Sequence, residues 1–293
     1  MREDFCVFIL THGRSERVLT YESLSRHGYT GKVYIVIDDE DETGEEYRRI
    51  YGDKVLTFSK DEVASYTDQM DNFADRRTAL WARNACWDLA KQVGCRYFIQ
   101  LDDDYTHFAH RRMGKGHRNS ITAGNEYHEW STHQLDDIFE ALVRLVETTP
   151  VSTIALSQGG DHMGGTQHRH RFRRKAMNSF VCDTTKPFLF RGRLNDDTNT
   201  YVALGNLGYL FFTDMHLLLH QKLTQSNIGG MTEAYLASGT YVKSFYSVIA
   251  APSCVRINLM GHINKRLHHS INWEKAWPKI LPEVYRKEER VDA

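Results

Sequence analysis

Three apolar runs in the first third of the chain end abruptly in polar clusters, and this repeated punctuation narrows the fold more than any other feature. Phe5 to Leu10 runs into Thr11-His12-Gly13-Arg14-Ser15, Val33 to Ile37 is closed by Asp38-Asp39-Glu40-Asp41, and Tyr97 to Leu101 stops at Asp102-Asp103-Asp104. Val18, Leu19, Tyr21 and Leu24 recur at helical spacing between the first two, Val55 to Phe58 is a third candidate strand, and Ala79 to Val93 reads as a helix that stops at Gly94. Short apolar strands alternating with helices predict an α/β fold: a Rossmann-like, mostly parallel sheet flanked by helices, with ligands gathered at the C-terminal strand ends. All three polar clusters sit at such ends.

The second half is less regular. Leu135 to Glu147 has the pattern of an amphipathic helix and Val151 to Leu156 that of a buried strand, while Gly164 to Asn178, rich in Gly, His and Arg, reads as a long functional loop. Phe188 to Phe190 and Tyr209 to Thr213 are expected as short strands, residues 214 to 225 as a helix, and Tyr241 to Ile249 as a last strand. No repeat and no linker rich in Pro, Gly or Ser divides the chain, so one domain over residues 1–293 is expected.

The formal charge of -1 excludes a globally basic nucleic-acid binder, and any polyanion site must be a local patch. Five cysteines without a CxxC pair leave one unpaired under any full disulfide scheme, which argues for a reducing, cytoplasmic compartment. The charged N-terminus lacks a signal-peptide layout and no apolar segment is long enough to span a bilayer, so a soluble protein with no membrane partner is expected.

Adjacent carboxylates repel one another and resist burial, so a strand that delivers three together points to a cation. Hard oxygen ligands suit Mg2+ or Mn2+, which take one or two carboxylates and complete their shell with phosphate and water. A solvated acidic turn is the competing reading of Asp102 to Asp104, and the position at a strand end favours the metal. Asp38, at an equivalent end, suits a ribose hydroxyl or a base imide, against a solvated loop for Asp39 to Glu46. Thr11, His12, Gly13 and Arg14 offer a turn with Gly for close backbone approach and a fork-shaped cation for diphosphate. Arg83 and Asn84 can support the nucleotide and the metal loop, with an exposed helix face as the alternative for both. In Asn195-Asp196-Asp197-Thr198 a carboxylate can serve as general base, against an ordinary Asx turn. His262 is a candidate imidazole ligand to the same metal, whereas His268 and His269 are expected as surface residues. Two basic tracts, residues 111–118 and His168-Arg169-His170-Arg171-Phe172-Arg173-Arg174-Lys175, combine phosphate-seeking cations with an aromatic able to stack on a base. A solvated charged face remains the alternative.

Taken in order, these elements resemble a GT-A type glycosyltransferase that uses a sugar nucleotide. More narrowly, Phe5 to Arg14 and Tyr97-Phe98-Ile99-Gln100-Leu101-Asp102-Asp103-Asp104-Tyr105 resemble the phage glycosyltransferases associated with TET/JBP-type DNA hydroxylases, a family that also reaches the C-terminal region of GREB-type proteins. The resemblance implies a UDP-sugar donor held through Mn2+ or Mg2+ and, as acceptor, the hydroxyl of 5-hydroxymethylcytosine or a related pyrimidine in DNA. It implies that residues 1–105 bind the sugar nucleotide and residues 106–293 the acceptor. It places Asp102 and Asp104 at the metal, Asp102 and Asp103 at the diphosphate, Asp38 at the nucleotide and Asp196 or Asp197 as the base. A protein, lipid or glycan acceptor, and a metal-dependent nuclease or nucleotidyltransferase, are the competing readings of the same residues.

Overall fold

The computed structural model describes residues 1–113, 127–158, 161, 172–221, 231–260 and 265–285. The first part of the chain forms β1 (Phe5–Leu10), α1 (Leu19–Arg26), β2 (Lys32–Asp38), α2 (Gly44–Tyr51), β3 (Val55–Phe58), α3 (Lys60–Ala64), α4 (Leu80–Gln92) and β4 (Tyr97–Asp102). It continues with β5 (Tyr105–Met113), β6 (Tyr127–Ser131), α5 (Leu135–Thr148), β7 (Val151–Gln158), β8 (Ser179–Asp183), α6 (Asp196–Gly205) and β9 (Leu210–Gln221). It closes with α7 (Met231–Ala250), the hairpin β10 (Val255–Met260) and β11 (Arg266–Ile271), and α8 (Trp273–Ala276).

Among the described residues, β1 to β9 form one sheet in the order β3-β2-β1-β4-β8-β7-β9-β5-β6. The first four pair in parallel, with Val7 opposite Val33 on one side and Ile99 on the other. Only β8 and β5 run against the rest, so the sheet is mixed but mostly parallel in direction, as the strand and helix alternation predicts. Both faces of β1 and β4 are covered, which is why their sequences are continuously apolar. Alternate residues take opposite faces: Cys6, Phe8 and Leu10 pack with Phe98 and the α4 residues Leu80, Trp81 and Trp87, while Phe5, Val7 and Ile9 pack with Tyr97, Ile99 and the α5 residues Phe139 and Val143. Each such large side chain contributes roughly 1.5–3 kcal/mol by leaving water. All five cysteines are buried and unpaired. No described helix is long and apolar enough to cross a membrane.

Three local expectations fail, each for a physical reason. Phe188 to Phe190 is not a strand, because the Asn84 side chain takes the backbone groups a ladder would use: Phe190 N donates to Asn84 Oδ1 at 2.8 Å and Asn84 Nδ2 donates to Phe190 O at 3.0 Å. The described part of residues 214–225 is not helical. It extends β9 to Gln221, because β7 and β5 supply pairing partners on both sides and tertiary pairing overrides local preference. Tyr241 to Ile249 lies within α7 rather than in a strand. Ser244, Ser247 and Ala251 are buried while Tyr241, Phe245 and Ile249 are exposed, a spacing of three and four that the aromatic and β-branched content disguises.

Candidate active site

The ends of β2, β1 and β4 lie side by side, which brings the three polar clusters to one edge of the sheet. The turn after β4 is pinned from α1: Thr20 Oγ1 donates to the Asp102 carbonyl at 2.6 Å and accepts from Tyr105 N at 2.9 Å. This clamp turns consecutive carboxylates in different directions. Asp103 points inward, accepting from Thr11 Oγ1 at 2.7 Å and from Arg14 Nη1 at 2.9 Å. It is 4 % exposed. Burial raises its pKa, with Arg14 and the Thr11 hydrogen bond opposing.

Asp38 is likewise engaged. His12 Nδ1 lies 2.8 Å from Asp38 Oδ2 and Lys60 Nζ lies 2.9 Å from Asp38 Oδ1. Burial pushes this carboxyl up, but His12 and Lys60 outweigh it and hold the group at about 2. Asp38 in turn raises the His12 pKa, chiefly through their hydrogen bond. Gly13 adopts φ +66°, and its N–H donates to Asp41 Oδ2 at 2.8 Å while Arg14 N donates to the Tyr47 hydroxyl at 2.8 Å. Asp41, Tyr47 and Lys60 are thus parts of this edge that sequence reasoning did not single out. Lys60 carried a usable signal, standing two residues after the end of a parallel strand, whereas Asp41 was hidden in an acidic run.

Arg83 occupies the centre. It is 2 % exposed, with its guanidinium carbon 5.2 Å from the Phe180 ring centre and 5.7 Å from that of Phe190. Its Nε lies 2.8 Å from Asp196 Oδ2 and its Nη2 lies 3.3 Å from Asp102 Oδ1. One guanidinium therefore joins the end of β4 to the first turn of α6. Asp196 and Asp197 are helical residues rather than an Asx turn, behind Asn195 in a left-handed conformation at φ 58°. Burial, against the pull of Arg83 and with the help of neighbouring carboxylates, lifts Asp102 to about 7 and Asp196 to about 6. The alternative of an exposed helix face for Arg83 and Asn84 does not hold, since both are buried. Asn84 serves the Phe190 loop rather than the carboxylates.

In the described part of the second basic tract the three cations pair with acids of the protein, and Arg174 is buried. Arg174 Nη2 lies 2.9 Å from Asp161 Oδ1, Lys175 Nζ lies 3.6 Å from the same oxygen, and Arg173 pairs with Glu274. Phe172 packs on Phe212 at 5.1 Å and Trp277 at 6.4 Å between ring centres. His168, Arg169, Arg171 and the metal candidate His262 lie outside the described residues. His268 and His269 are not surface residues as expected: both are partly buried, and Asn195 Nδ2 lies 3.2 Å from His269 Nδ1.

The donor set bears on a metal. No group of three or more His, Cys, Asp and Glu side chains among the described residues converges to hold an ion by itself. Mg2+ and Mn2+ do not need one, since two carboxylates with a diphosphate and water suffice. Asp102 and Asp104, flanking an inward-turned Asp103 and forced against further carboxylates, fit that role.

A helix-flanked, mostly parallel sheet with carboxylates, a glycine turn and arginines at its C-terminal edge defines an α/β protein with a polar site in the usual place for such sheets. The chain belongs to the TET-Associated Glycosyltransferase family, which matches residues 5–230. It is therefore a glycosyltransferase. No curated protein matches it. Among solved structures, glucosyl-3-phosphoglycerate synthase from Mycobacterium tuberculosis, in complex with Mn2+, UDP and phosphoglyceric acid, is similar at 10% identity and a TM-score of 0.45, over 92% of this chain and 87% of that one. The same enzyme with Mn2+ and UDP-glucose gives 9% identity and a TM-score of 0.44, over 94% and 87%. A mycobacterial protein gives 8% and 0.46, over 94% and 84%.

Proposed function

We propose that the chain is a metal-dependent glycosyltransferase of GT-A type that moves a sugar from a UDP-sugar to the hydroxyl of 5-hydroxymethylcytosine, or a related modified pyrimidine, in phage DNA. The observation that carries this reading is the Arg83 bridge, which sets a strand-end carboxylate, Asp102, one guanidinium away from Asp196. A divalent cation held by Asp102 and Asp104 supplies Lewis-acid neutralisation of the departing UDP. Thr11, His12, Gly13, Arg14 and Asp38 hold the nucleotide, with Asp103 fixing the turn that carries Arg14. Arg83 orients Asp196, and in an inverting transfer Asp196 or Asp197 accepts the proton of the attacking hydroxyl. A carboxylate lifted to about 6 is a stronger base than a solvated one and is still mostly ionised at pH 7. In this reading residues 1–105 serve the donor, residues 106–293 the acceptor, His262 adds to the metal site, the basic loops hold DNA, and the protein works in the host cytoplasm.

A protein, lipid or glycan acceptor is the second reading, favoured by the engagement of Phe172 and Arg174 within the protein. Mass spectrometry of nucleosides from 5-hydroxymethylcytosine DNA, incubated with the protein, Mn2+ and a panel of UDP-sugars, separates the two. A pentose or hexose mass gain with one donor supports DNA glycosylation. No gain, with UDP release that still requires lysate, moves the acceptor elsewhere.

A further inference from the structure

Among the described residues the β10–β11 hairpin pairs with no other strand, and its two faces differ in chemistry. Its register sets Val255 opposite Ile271, Ile257 opposite His269 and Leu259 opposite Leu267 on one face. Burial falls along that face: Val255 is buried and Ile257 half-buried, whereas Leu259 is 69 % and Leu267 39 % exposed. The other face carries Arg256 and, on one rung, Met260 and Arg266, all three exposed. The middle rung of the first face fixes the hairpin against the site. His269 Nδ1 lies 3.2 Å from Asn195 Nδ2, and Asn195 immediately precedes Asp196. The leucine rung stands two residues further out on both strands, about 7 Å beyond the rung that makes this contact.

The charge of this region is one-sided. From Ala234 to Trp273 the chain has no Asp or Glu, although it holds 38 in 293 residues, while Lys243, Arg256, Lys265 and Arg266 fall within that stretch. Two paired leucines held in water mark a contact surface, and the surrounding charge asks for an anionic partner. A lipid surface takes apolar and cationic groups from one side, and a second copy would set like charge against like. A nucleic-acid strand with an opened stack meets both faces of a ribbon, bases on the apolar side and phosphates on the cationic side. We propose that the β10–β11 hairpin grips a nucleic-acid acceptor: Leu259 and Leu267 enter the stack beside the target nucleotide and hold it open, so that the target base reaches Asp196 or Asp197, while Arg256 and Arg266 pair with backbone phosphates. The inference deepens the DNA reading of the acceptor and rests on it. All four residues lie beyond residues 5–230, the part of the chain that the family matches.

The test places 2-aminopurine next to 5-hydroxymethylcytosine in a duplex and adds the full chain saturated with UDP and Mg2+. Native protein is compared with Leu259→Ala/Leu267→Ala and with Arg256→Gln/Arg266→Gln. All four side chains are exposed, so neither change opens the core. The native protein is expected to bind the duplex and to raise the fluorescence as the neighbouring base unstacks. The leucine variant is expected to lose that rise and to bind about tenfold more weakly at unchanged salt slope, and the arginine variant to lose about two units of slope. UDP affinity is expected to stay within about twofold of native in both. A fluorescence rise and a salt slope equal to native in both variants overturn the role of the hairpin while the DNA reading stands. A native protein that binds UDP but no duplex overturns the DNA reading, and the role of the hairpin with it. Binding to phosphatidylserine vesicles, or a dimer in solution, that the leucine change abolishes while duplex binding is untouched gives the hairpin to another partner and overturns the inference.

Discussion

Two groups of acids lie within the same sheet edge and are treated in opposite ways. On the side of β1 and β2, each of three buried carboxylates has its own partners: Asp38 has His12 and Lys60, Asp41 has Gly13 and Thr43, and Asp103 has Thr11 and Arg14. At the centre, Asp102 and Asp196 share one guanidinium, with Asp104 and Asp197 adding repulsion. The first arrangement builds a turn. The second leaves carboxylates repelling one another, and under the proposed function it keeps them available to a cation and to a proton.

The sharpest way to break this comparison is to exchange the consequences of neighbouring aspartates. Asp102→Asn and Asp104→Asn are each expected to lower transfer by about a hundredfold to a thousandfold while leaving Tm unchanged or raised, because each removes charge from a repelling cluster. Asp103→Ala is expected to do the reverse. It strands Arg14 and the Thr11 hydroxyl and costs about 2–4 kcal/mol in denaturant unfolding, while transfer per folded molecule at low temperature falls far less than in either Asn variant.

Smaller effects sharpen it. The depressed Asp38 contributes stability that is complete above the unfolded carboxylate value of about 4 and is lost as pH falls toward about 2. The raised His12 contributes below its unfolded value of about 6.5, and that contribution is lost as pH rises through its higher folded value. The Tm difference between native protein and His12→Ala is therefore expected to be widest between about pH 4 and 6.5 and to shrink on both sides. A flat difference across a pH series would remove the pair from the account. Least of all, Gly13→Ala is expected to cost about 1 kcal/mol through its φ of +66° alone, since the added methyl meets no atom.

The parallel half was legible because both of its faces are buried, so the strands announce themselves as apolar runs and their ends as polar clusters. Asp102, Asp38 and Arg14 could be placed from that rule alone. What pairing partners and side chains decide was not legible: β9 runs to Gln221 because β5 and β7 flank it, and Phe188 to Phe190 stays irregular because Asn84 occupies its backbone. The same limit applies within the acidic triplet. Sequence gives three equal aspartates, and only the Thr20 clamp and the Thr11 and Arg14 contacts show that the middle one turns inward. The Arg83 bridge, spanning residues 83, 102 and 196, has no local signal at all.

Electron paramagnetic resonance of Mn2+ in the presence of UDP tests the division of labour among the acids most directly. The account predicts that the native protein and Asp103→Asn bind Mn2+, and that Asp102→Asn and Asp104→Asn do not. Loss confined to Asp103→Asn, or undiminished binding by all three variants, would contradict it.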